Sequence, residues 1–156
     1  MFLYRIISII VNIFCAFVAL ATLWGLVLAL ANPVFLFQCF LTAGTVLYAW
    51  FANRFYHTVV VAKKIMTKKQ KDWLQVNAIV ALIFSLLGIS NTVTLLTHPK
   101  MRDDMLSAMH ANLSIPQSTI TNVAVFMLVI CIILLVHIAM TYSLIKKYKE
   151  YFETGS

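Results

Sequence analysis

Two histidines are the side chains best equipped for chemistry in this chain. Imidazole can hold a haem iron or a transition metal, and it exchanges a proton near neutral pH. His57 stands six residues before Lys63, and His137 stands nine before Lys146. On helices leaving a membrane at those lysines, the two rings lie at depths differing by about 5 Å. They are the candidate cofactor pair, with haem as the cofactor they would suit, although no cofactor follows from the sequence. No metal site is expected, because Cys15, Cys39 and Cys131 form no CxxC pair and lie inside apolar segments.

A second group is cationic and aromatic. Tyr48, Arg54, Tyr56 and His57 precede Lys63 and Lys64, a set suited to an anionic lipid head group or to an acidic segment of a protein partner. Arg54 comes nine residues before Lys63, about 13 Å along a continuous helix, deeper than orientation alone requires. A third group is uncharged: Gln38, Thr42 and Thr45 continue into Ala49 and Ala52 at alternating steps of four and three. That stripe should look into a helix bundle, where it either packs or lines a path.

What the sequence lacks is equally informative. The long apolar segments contain no Asp or Glu, which excludes carboxylate-coupled proton or sodium transport and most intramembrane hydrolases. No phosphate loop, nucleotide-binding fingerprint, zinc-protease helix or serine nucleophile elbow is present.

The elements that must position these groups follow from composition. Of the 156 residues, 62% are hydrophobic and 11% charged, with a mean hydropathy of +0.92, too little polar surface to cover a soluble particle of this size. Four stretches, Phe2 to Ala31, Val34 to Ala62, Trp73 to Leu96 and Thr119 to Ser143, can each cross about 30 Å of hydrocarbon. The first is too long for a signal-peptide core and is expected to remain. The expected architecture is therefore all-α: a polytopic membrane protein folded as an antiparallel up-down bundle of four transmembrane helices. A single domain, 1–156, carries spans at about 3–31, 34–62, 73–96 and 119–145, a cytoplasmic loop at 63–72 and an exterior loop at 97–118.

Orientation comes from charge. Arg5, Arg54, Lys63, Lys64, Lys68, Lys69, Lys71, Lys146, Lys147 and Lys149 fall on one side of such a bundle, against Lys100 and Arg102 on the other. The positive-inside bias places both termini in the cytoplasm, with a bacterial inner membrane as the expected location. The net charge of +7 thereby serves topology and anionic lipid, and nucleic acid is not an expected partner.

Small residues mark helix contacts. Ala21, Gly25 and Ala29 repeat every four residues, while Ala78, Ala81, Ser85, Gly88 and Thr92 form a heptad seam. These faces suit packing within the bundle or against a second copy. The absence of Gly and Pro from His57 to Gln70 predicts that helix 2 continues past the membrane, with reversal near Asp72, the N-cap of helix 3. Met101, Met105 and Met109 predict a short surface helix in the exterior loop, and Lys146 to Glu150 an exit into the cytoplasm. Taken together, these features suggest a non-enzymatic component that binds lipid, with an anionic head group expected, or a protein partner. The alternatives are an oligomeric channel or small transporter, and a haem- or quinone-associated enzyme or electron-transfer subunit.

Overall fold

The computed structural model describes residues 2–29, 33–98, 100 and 117–152. Among them the chain forms helix α1 (Phe2–Ala29), α2 (Pro33–Phe55), α3 (Lys68–Thr97) and α4 (Gln117–Lys147). A π-helical turn, Tyr56–Val61, prolongs α2, and a 3-10 turn, Lys149–Tyr151, follows α4. All four long helices have the length and hydropathy to cross a membrane. Hydrocarbon offers no partner to a backbone N–H or C=O, so an apolar chain satisfies these groups within helices. The outward surface agrees: Phe17, Leu20 and Trp24 are 70%, 67% and 81% exposed, which water would penalise and lipid would not.

Neighbours in sequence are neighbours in space, α1 on α2, α2 on α3 and α3 on α4, with α1 also touching α4. Cys15 reaches the Thr45 carbonyl and Thr22 bonds Thr42 between α1 and α2. Phe51 stacks on Trp73 between α2 and α3, and Tyr142 of α4 donates to the Gln75 carbonyl of α3. Tyr4 and Ser8 of α1 meet Thr141 and His137 of α4. The first turns of α1 thus meet the last turns of α4, and Met66 of the lysine-rich loop bonds the tail after α4, at what is here called the basic end.

Two glycines permit the closest approaches. A Cβ at Gly44 would collide with the side chain of Val80, and one at Gly88 would come within 2.6 Å of Cys131 Sγ. The α3 seam is consumed in the same way: Ala78, Ala81, Ser85 and Thr92 are buried, and Ser85 donates to the Ala81 carbonyl. On α1, Gly25 faces Cys39 Sγ at 3.9 Å, Ala21 is exposed, and the side chain of Ala29 lies outside the described residues.

The basic loop departs from expectation. Regular α-helix ends at Phe55, the π turn ends at Val61, and Lys63 adopts a left-handed φ of 53°. The reversal is complete by Thr67, whose hydroxyl caps α3 by accepting from the Gln70 N–H at 3.4 Å. Helix 2 therefore does not run on to Gln70, and Asp72 lies inside α3 rather than at its cap. Helix propensity yields here to tertiary packing. Met66 N–H donates to the Tyr151 carbonyl at 2.9 Å, and Phe152 stacks on Phe55 with ring centroids 5.9 Å apart. Met66 and Phe152 are both buried, so the tail after α4 folds back as a cap instead of leaving the bundle. The Met101, Met105 and Met109 row lies outside the described residues.

Candidate functional site

Near the basic end, five side chains from three helices form one buried hydrogen-bonded cluster. Residues four apart on a helix share a face, so Tyr4 and Ser8 of α1 confront His137 and Thr141 of α4, while Tyr48 enters from α2. Ser8 Oγ lies 2.9 Å from His137 Nε2, and Tyr48 Oη lies 2.8 Å from His137 Nδ1. Thr141 Oγ1 lies 3.1 Å from Tyr4 Oη and 3.0 Å from Tyr48 Oη. The Tyr4 ring stacks on the imidazole at 4.9 Å and 17°.

The protons in this cluster can be placed by elimination. A carbonyl cannot donate, so Thr141 Oγ1 gives its proton to the His137 carbonyl, 2.8 Å away. Its oxygen then accepts from both tyrosines. With the Tyr48 proton committed, the Tyr48 oxygen accepts from His137 Nδ1–H, leaving Nε2 to accept from the Ser8 hydroxyl. A neutral imidazole is thereby held in its Nδ1–H form, with both nitrogens occupied. Among the described residues no buried side-chain nitrogen or oxygen lacks a partner.

A serine hydroxyl on an imidazole nitrogen is also the first requirement of an activated nucleophile. The remaining requirements are not met around it. The group orienting the ring is a neutral phenol, which offers little to a developing imidazolium. The Tyr4 ring covers one face of the imidazole, and Ser8 is itself buried. The geometry is that of a lock between α1, α2 and α4.

Comparison of the chain with protein-family models, curated proteins and solved structures gave no match. Function must be read from the geometry.

The structure separates residues that the sequence placed in common groups. His137 is enclosed, whereas His57 is exposed and meets the Tyr56 ring at 77°. Among the described residues, the two histidines are linked through the aromatic rings of Tyr56 and Tyr4, whose centroids lie 5.3 Å apart. Among the described residues no group of three or more His, Cys, Asp or Glu side chains could hold a metal. Tyr48 belongs to the buried lock, while Arg54 and Lys64 lie on the surface. Lys63 turns its ammonium over the Tyr148 ring, 4.0 Å from its centroid. The uncharged stripe is divided as well. Thr45 is buried and donates to the Leu41 carbonyl, Thr42 bonds within the α1–α2 contact, and Gln38 is exposed.

Sequence reasoning missed Tyr4 and Ser8. Their signal was present as spacing: a Tyr and a Ser four apart at one end of the chain, matching the His and Thr four apart near the other.

In the opposite half of the bundle, α2, α3 and α4 border a partly open cavity of about 430 Å³. Its walls are mostly apolar, including Phe37, Leu41, Phe84, Leu87, Val123 and Met127. Four uncharged polar residues, Gln38, Asn91, Thr92 and Thr119, complete the lining. Volume and lining fall in the range of small-molecule sites.

Proposed function

We propose that this chain is a non-enzymatic integral membrane protein, an up-down four-helix bundle with both termini cytoplasmic, whose partners are membrane lipids. The observation that carries this reading is the surface of the basic end. Arg54, Lys64, Lys68, Lys69, Lys146 and Lys147 are all exposed around a cap whose own aromatic residues, Phe55 and Phe152, are buried. Such a surface attracts the anionic head groups of a cytoplasmic leaflet, at about 1 kcal/mol per basic residue near the surface. The up-down arrangement is supported by the paired contacts, in which residue numbers rise on one helix as they fall on its neighbour. The non-enzymatic reading is supported by the closed cluster, which commits its one imidazole to two hydroxyl groups.

Lipid retention in native mass spectrometry tests the proposal. Protein extracted from mixed phosphatidylglycerol and phosphatidylcholine bilayers should retain the anionic lipid preferentially. The triple variant K64Q/K68Q/K69Q should lose most of that preference, and Arg54→Ala a smaller part. Equal retention of the two lipids by the parent protein would refute the reading.

A further inference from the structure

The cavity in the half opposite the basic end carries its polar residues toward its outer end, interleaved there with Phe37, Leu95 and Ile120. Its polar residues are close to the ends of their helices: Gln38 is five residues into α2, Asn91 six from the end of α3, and Thr119 two into α4. Its inner end, at Leu41, Phe84 and Met127, is apolar and lies toward the middle of the bundle. From Phe84 to Leu95 the α3 wall rises about 16 Å, the depth of one leaflet of a hydrocarbon core about 30 Å thick. The polar mouth carries amides and hydroxyls with no charged side chain. The cavity is partly open, and Val123, which lines it, is 56% exposed.

We propose that this cavity binds one acyl chain of a membrane phospholipid, with the ester region of that lipid at the Gln38, Asn91 and Thr119 mouth. An apolar slot one leaflet deep fits a single hydrocarbon chain. A neutral mouth fits ester carbonyls, which accept hydrogen bonds from amide N–H and hydroxyl groups. An opening beside Val123 would let the chain enter from the bilayer without crossing the head-group layer. This site is independent of the basic surface and takes a zwitterionic lipid as readily as an anionic one.

Photocrosslinking in phosphatidylcholine vesicles doped with the same lipid bearing a mid-chain diazirine tests this site. Adducts mapped by peptide mass spectrometry should favour Leu87 and Met127 over Phe17 and Leu20, bulk-lipid controls on α1, by about tenfold. Val123→Trp, which fills the opening, should abolish that excess. If this variant does not fold, Q38L/N91L at the exposed mouth should lower the excess severalfold instead. K64Q/K68Q/K69Q should leave it unchanged, which separates this site from the anionic surface. Equal labelling of cavity and α1, or an excess unaltered by the folded cavity variants, would overturn the proposal. A cavity filled by a second copy or by the chain's own 101–116 segment would give no adducts there and would overturn it too.

Discussion

The two halves of this bundle use polar residues in opposite ways. At the basic end, Tyr4, Ser8, Tyr48, His137 and Thr141 spend their hydrogen bonds on one another and fasten α1, α2 and α4 together. In the other half, Gln38, Asn91, Thr92 and Thr119 line a space instead of closing it. The side-chain bonds between α1 and α4 fall in the first two turns of α1, and farther along Phe17, Leu20, Leu23 and Trp24 face outward. Polar residues in an apolar span are therefore not one kind of signal. Reciprocal donors and acceptors make a fastener, whereas polar groups gathered at the rim of an apolar hollow make a mouth.

Breaking the fastener should have the largest effect. His137→Ala removes a ring packed against Tyr4 and strands Ser8 and Tyr48, so stability should fall by about 3 kcal/mol, most of it from the cavity left behind. Reversible unfolding in mixed micelles would measure this, and a loss below about 1 kcal/mol would show that the cluster is incidental. Gly44→Ala, at the contact between α2 and α3, should cost about 2 kcal/mol because its methyl collides with Val80. Adding Val80→Ala should recover much of that loss, and a double-mutant cycle without coupling would contradict the contact. Tyr48→Phe keeps the ring but leaves His137 Nδ1–H without its acceptor, an expected loss of about 1 kcal/mol, near the upper part of the range for bonds between membrane helices. At the other extreme, Val123→Trp should change the stability of lipid-free protein by no more than about 0.5 kcal/mol, as expected at a surface position. A loss as large as that of His137→Ala would mean that the far half is as tightly specified as the basic end.

Much of the fold was legible because it depends on patterns that local sequence carries. Apolar length gave four helices able to span a membrane, Pro33 opens α2 as its missing N–H allows, and the small seam on α3 is buried. The loop was misread because a run without Gly or Pro favours helix only while nothing else competes. Here Met66, Phe55 and Phe152 pack together, and Lys63 takes a left-handed conformation to let them meet. That contact joins residues far apart in sequence, and no local signal announces it.

The candidate residues were legible as types but not as partners. His137 and Thr141 share a helix face, yet their partners Tyr4 and Ser8 sit more than a hundred residues away and look like ordinary members of an apolar span. Gln38 was expected to look into the bundle, to pack or to line a path, and it lies exposed at the rim of the cavity.

The division between a fastening end and a receiving end is tested most directly by thermal unfolding of delipidated protein with and without added phosphatidylcholine. A ligand that binds only the folded state raises its stability by mass action. The parent protein should gain stability with lipid, and Val123→Trp should lose most of that gain while keeping its lipid-free stability. Tyr48→Phe should unfold at a lower temperature yet show the full gain. If Val123→Trp retained the whole lipid-dependent gain, or Tyr48→Phe abolished it, fastening and binding would not reside in separate halves.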